Sequence, residues 1–173
     1  MPELPDVEVF RRYLEATSLH KRVEGVRLDA GRELKTISGK AFQRAVRGRA
    51  LEEARHFGMT GYPRYHQKAE AGPGHTRLRL ILENGYRLSY SCTRRLGRLG
   101  LVKDLKRFLA AMRLGPDALD VEPEYLLDWR KNRRGGIKPA LMDQSLLAGI
   151  GNVYSDEVLL QARPHPKRKV SAL

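Results

Sequence analysis

Asn84-Gly85 stands between two alternating runs, 77–83 and 86–92, and no other feature restricts the fold of this chain so tightly. Glycine has no Cβ to clash and asparagine tolerates the left-handed region, so this dipeptide is the strongest short-range signal for a hairpin turn. On either side Leu78, Leu80 and Leu82, then Leu88, Tyr90 and Cys92, recur at every second position and give each run one apolar face. An antiparallel pair over Arg77–Glu83 and Tyr86–Cys92 is expected. Val23, Val26 and Leu28 suggest a further strand. Residues 5–18 read as a helix, with Val7, Phe10 and Leu14 near helical spacing and Pro5 at its start. Ser38 is placed to cap a short helix ending at Val46. Residues 50–62 are ambiguous, 68–74 read as a loop, and 103–114 read as a helix with Leu105, Phe108, Leu109 and Met112 on one face.

The C-terminal part is different. Lys138-Pro139 opens a helix, with proline tolerated in the first turn, and Leu141, Met142, Leu146 and Leu147 form its expected buried stripe. Gly149-Ile150-Gly151-Asn152 stops it, and a second helix over 153–162 turns Val158, Leu159 and Ala162 inward. The fold class is therefore α+β, a strand-rich lobe followed by a helical one.

Charge divides the chain in the same way. Residues 77–115 carry 10 basic against 2 acidic groups, 116–128 carry five acids and no base, and 129–173 carry 9 basic against 3 acidic. The middle stretch, with Pro116 and Pro123, reads as an acidic linker, so the expected organisation is 1–115, a linker over 116–128, and 129–173. The chain as a whole is net +13. Arg-rich basic surface on both lobes suits phosphate contacts that position a nucleic acid; the plain alternative is a solvated basic surface, as on ribosome-associated or merely alkaline proteins. No apolar run approaches the ~18 residues of a membrane span, the acids of MPELPDVEVF do not suit a signal peptide, and Cys92 alone cannot form an internal disulfide or a cysteine-clustered zinc site. A cytoplasmic protein is expected, nucleoid-associated if prokaryotic, monomeric and away from membranes.

Three groups of residues can carry chemistry. Removal of Met1 would leave Pro2 with a free secondary amine, whose pKa near 8 leaves more of it nucleophilic at neutral pH than a lysine near 10. Attack on a sugar C1′ gives an iminium that cannot lose its charge by deprotonation at nitrogen, an electron sink for elimination. Glu3 is placed to shuttle protons. The plain alternative is a common second residue beside a surface acid. Next, Lys138 with the glycine turn before Asn152 is a phosphate-binding arrangement, or simply a corner between helices. Finally, Met59 in HFGMTG, with Arg94 and Leu96 in TRRLGRLG, are residue types a protein inserts into a duplex to replace an extruded base, or else core and solvated residues.

Together, MPELPDVE, HFGMTG, TRRLGRLG and above all IKPALMDQSLLAGIGNVYSDEVLLQARPHP closely resemble the formamidopyrimidine-DNA glycosylase / endonuclease VIII family, from Met1 to about Lys169. The resemblance implies a two-layer β-sandwich with flanking helices, then a partial helical helix–two-turn–helix domain, with duplex DNA containing damaged bases or abasic sites held between them. It implies Pro2 as the Schiff-base nucleophile, Glu3 as proton donor, Met59 filling the gap of the everted nucleotide, Arg94 facing the orphaned base and His75 contacting DNA. Lys138 and Asn152 match the phosphate clamp. The implied activity is a bifunctional glycosylase and abasic-site lyase acting on oxidised bases.

Four departures qualify it. Arg49 takes the place of a lysine that assists elimination, keeping the charge but donating protons poorly. Leu96 replaces a phenylalanine and loses ring stacking. The family's zinc finger is absent, so no cofactor is expected in this chain, and zinc only if a longer natural form carries the finger. The later helices are absent too. Exposed apolar surface on the helical lobe, a weakened grip on DNA and lyase activity better kept than glycosylase activity are expected. The alternative is a weakly active or non-catalytic protein that binds damaged DNA; retention of Met1 would favour it.

Overall fold

The computed structural model of the chain describes residues 3–28, 38–51, 61–94, 104–131 and 133–172. Two compact units divide it, Met1–Lys103 and Asp104–Leu173.

In the first unit, helix α1 (Leu4–Thr17) starts where its own first turn supplies a cap. The Glu3 N–H donates to the Asp6 carboxylate at 2.9 Å, and proline occupies a position that needs no N–H. Arg11 and Arg12 both reach back to Glu8, at 2.6 and 2.8 Å, and their hydrogen bonds hold its carboxyl down at about 2. Val7, Phe10, Tyr13 and Leu14 form the inward stripe, packed with Val23, Leu80, Leu82 and Leu88. This is the core of the unit.

That core lies on one face of a four-stranded antiparallel sheet, β1 (Val23–Leu28), β2 (Gly61–His66), β3 (Thr76–Leu82) and β4 (Arg87–Cys92), in the order β1-β3-β4-β2. Helix α2 (Gly39–Val46) follows β1, and the Ser38 hydroxyl accepts from the Ala41 N–H at 3.3 Å, the expected cap. The expected hairpin forms, with each strand stopping one residue farther from the turn than its alternating run suggested. Leu82 N–H donates to Tyr86 C=O and Gly85 N–H to Leu82 C=O, both at 2.9 Å, which closes a three-residue loop, 83–85. Gly85, at φ +79°, carries the left-handed step. The Asn84 side chain acts instead as a brace, accepting from the Tyr86 N–H at 3.3 Å and donating to the Tyr65 hydroxyl at 2.6 Å.

Strand β2 was not legible. Its sequence GYPRYH contains a proline that cannot donate to a ladder, and among the described residues it pairs only with β4, an edge position where the missing donor costs little. The class is α+β, as expected. Of the two-layer sandwich, the described residues supply this one sheet.

The second unit holds α3 (Leu105–Ala111), α4 (Pro123–Lys131), α5 (Ile137–Leu141), α6 (Asn152–Ala162) and a 3-10 turn (Val170–Ala172). Its core is Ile137, Ala140, Leu141, Leu147, Leu159 and Val170. The acidic stretch 116–128 is no free linker. Ala148 N–H donates to Pro116 C=O at 2.8 Å, Ala118 N–H donates back to Ala148 C=O at 3.0 Å, and Ala118 and Val121 pack on the core. Pro123 begins α4, so the charges line the outside of a packed segment.

Helix faces in this unit are only partly as expected. In α3, Phe108 is exposed, as is Met112 just beyond, while Leu109 is half-buried, in keeping with the exposed apolar surface expected of the helical part. In α6 the inward residues are Ser155 and Leu159, four apart; Val158 and Ala162 are exposed. The run of apolar residues in this helix hides its phase, which the partner helix decides. Likewise α5 ends at Leu141, so Leu141 and Leu147 are buried while Met142 is exposed.

Candidate nucleic-acid interface

Of the candidate residues, Pro2, Met59 and Leu96 lie outside the described residues; Glu3, Arg49, His75, Arg94, Lys138 and Asn152 lie within them. Glu3 is 5% exposed at the head of α1, its backbone fixed by Asp6. The residue joined to Pro2 is therefore an anchored one. Arg49 is exposed in the turn after α2, where its C=O accepts from Val23 N–H at 2.9 Å and its N–H donates to Val46 C=O at 3.1 Å.

The strand register brings distant segments to one end of the sheet. Gly61 lies opposite Cys92, and Thr76 opposite Ser91. Adjacent strands lie about 4.8 Å apart, so the start of β2, the start of β3 and the end of β4 fall within roughly 10 Å of one another. Two candidate residues therefore share that end with Gly61, the first residue of β2: His75 immediately precedes β3, and Arg94 follows β4 by two residues; the rest of HFGMTG lies outside the described residues. His75 has φ +55°, rare outside glycine, and its C=O accepts from Cys92 N–H at 3.1 Å, while the Thr76 hydroxyl donates to Pro73 C=O at 2.6 Å. These bonds hold the exposed imidazole where the chain turns into the strand. Arg94 is exposed at the same end.

In the second unit the glycine turn between α5 and α6 is held by a residue the sequence did not single out. Gln144 Nε2 donates to Ile150 C=O at 2.7 Å and to Met142 C=O at 3.2 Å, and its Oε1 accepts from Gly149 N–H at 2.9 Å. Gly149, at φ +98°, makes the reversal. Beside it Asp143 caps the preceding turn, accepting from the Ser145 hydroxyl and N–H and lying 3.4 Å from Arg133, all of which lower its pKa. Asn152 is the exposed first residue of α6. Lys138, on α5, reaches α6 itself: its Nζ lies 2.6 and 2.7 Å from the two carboxylate oxygens of Asp156. Asp156 is four residues beyond Asn152 and so on the same face of the helix, one turn along. Nothing local marks Asp156 in the sequence, because its partner lies 18 residues away.

An N-terminal four-stranded sheet with His75 and Arg94 at one end, followed in the chain by two helices joined by a braced glycine turn, matches known proteins over the whole length. The formamidopyrimidine-DNA glycosylase N-terminal domain matches residues 1–56 and 54–99, and the formamidopyrimidine-DNA glycosylase H2TH domain matches 114–173. A formamidopyrimidine-DNA glycosylase of Bacillus cereus is 32% identical over all of this chain and 71% of its own length. That of Thermomicrobium roseum is 36% identical over all of this chain and 72% of its own. The chain belongs to the formamidopyrimidine-DNA glycosylase family. It thereby joins the DNA glycosylases of DNA repair. A solved complex between the Lactococcus lactis Fpg and abasic-site DNA shares the fold, with a TM-score of 0.88 at 24% identity, covering 99% of this chain and 70% of that one. The helix–two-turn–helix domain of the family contains α4, α5, the braced turn and α6, which accounts for the acidic stretch being packed rather than free.

Proposed function

We propose that the chain is a bifunctional enzyme of base excision repair, which removes oxidised bases from duplex DNA and cuts the strand at the abasic site. The imino nitrogen of Pro2 attacks C1′ of the extruded nucleotide as the glycosidic bond breaks; the base leaves with the bonding pair, and a proton reaches it through Glu3. The attacking nitrogen gives up its proton, the C1′–O4′ bond opens with O4′ taking a proton through Glu3, and the nitrogen lone pair forms the iminium; the C2′ proton then passes to water, its bonding pair forms the C2′–C3′ double bond, the 3′-phosphate departs with its oxygen, and water later releases Pro2 by hydrolysis of the iminium. The observation that carries this reading is Glu3: buried, with its backbone tied to Asp6, it fixes the residue next to the nucleophile at the head of α1. The formamidopyrimidine-DNA glycosylase relatives, aligned over the entire chain, support the substrate class.

Borohydride trapping tests it. The Met1-processed protein, incubated with a duplex carrying one abasic site, should form a covalent adduct on reduction, and Pro2→Gly or a preparation that keeps Met1 should form far less. Absence of adduct from protein whose intact mass shows Met1 removed would defeat the proposal.

A further inference from the structure

The Lys138–Asp156 pair assigns Asp156 a part in nucleic-acid binding that opposes the grip, and this inference rests on the reading of Lys138 as a phosphate ligand. The ammonium is held by both oxygens of a carboxylate, at 2.6 and 2.7 Å. The Lys138 side chain is 24% exposed and that of Asp156 is 50% exposed, so the carboxylate is the more solvent-facing partner. Asp156 also shares the face of α6 with Asn152, one turn away, so its negative charge lies beside the position expected for a phosphate.

Two consequences follow from elementary electrostatics. A phosphate approaching Lys138 either displaces a carboxylate or lies next to one, and like charges at that spacing repel. Secondly, an ammonium whose charge is already compensated by Asp156 does not release a full counterion when it meets phosphate, so it contributes less than a complete contact to the salt dependence of binding. We infer that Asp156 acts as a built-in competitor for Lys138, limiting affinity for any duplex, damaged or not. An enzyme that must leave undamaged DNA gains faster release from such a competitor at the cost of affinity.

The test is Asp156→Asn, which keeps the side-chain shape and one acceptor for Lys138 while removing the charge. Binding of the full chain to a duplex carrying a tetrahydrofuran abasic analogue is measured by fluorescence anisotropy over a salt series, alongside thermal unfolding. Exposed pairs of this kind are worth little individually, so the expected gain in affinity at low salt is about two- to fivefold. The slope of log K against log salt should steepen by up to about 0.9. In a Lys138→Gln background the same substitution should lose that gain. Unchanged or weaker binding by Asp156→Asn, while Lys138→Gln alone weakens binding, would overturn the competitor role and leave the phosphate-ligand reading intact. Should Lys138→Gln leave binding untouched, the underlying reading falls, and this inference falls with it.

Discussion

Replacing Gln144 with alanine tests whether one side chain holds the turn that displays Asn152. Three hydrogen bonds are lost, to Ile150 C=O at 2.7 Å, to Met142 C=O at 3.2 Å and from Gly149 N–H at 2.9 Å. Each is worth about 0.5–1.5 kcal/mol net. Gln144 is exposed, so water can reach the abandoned backbone groups and the lower part of that range applies. The sum is roughly 1.5–2.5 kcal/mol. Gln144→Glu separates the components. Glutamate still accepts from Gly149 N–H but donates nothing, and it sets a negative charge against the Ile150 and Met142 carbonyls, so it should be no more stable than the alanine variant. Urea unfolding followed by circular dichroism gives the stability, and anisotropy with the tetrahydrofuran duplex gives the affinity. Both should fall, with the loss of affinity still visible under conditions where the variant is folded. Wild-type stability and affinity in Gln144→Ala would refute the brace, since the three bonds would then contribute nothing that water does not replace.

Gly115→Ala should destabilise the second unit severely, because a Cβ there would lie 2.9 Å from the Leu147 nitrogen and closer still to the Leu146 carbonyl group, where no flexible side chain can move aside. A loss above about 2 kcal/mol in urea unfolding is expected, and a neutral result would count against the close approach of these segments. For α1, the pH dependence has a definite sign. The Glu8 carboxyl is lowered from 4.5 to about 2 by its hydrogen bonds from Arg11 and Arg12, so its contribution is complete above the unfolded value and is lost as pH falls from 4.5 through about 2. Glu8→Gln should therefore flatten that part of an acid titration of stability, and a titration identical to wild type would show that the pairing is not formed in solution.

The acidic stretch shows why composition misleads about domain limits. Five acids without a base look like solvated chain, yet the backbone of 116–118 pairs with Ala148 and two apolar residues, Ala118 and Val121, reach the core. Charges on the outside of a packed segment and charges on a linker read alike in sequence, because the deciding contacts are made by a few small residues and by backbone groups that every residue possesses.

What the sequence determined by itself was local: the Asn84-Gly85 reversal, the Ser38 cap, the start of α1, and the split into a strand-bearing part and a helical part. Each depends on residues within a few positions of one another, where backbone sterics and short hydrogen bonds decide. Glu3, His75, Arg94, Lys138 and Asn152 were legible as candidates through the order of motifs, but the gathering of His75 and Arg94 at one end of the sheet is a property of strand register. Only the tertiary structure decided that register, the edge strand β2 with its proline, the inward phase of α6, the clamp of Gln144 on the glycine turn and the pairing of Lys138 with Asp156. Those contacts join residues far apart along the chain or engage anonymous backbone groups, and their energies exist only once packing has brought the partners together.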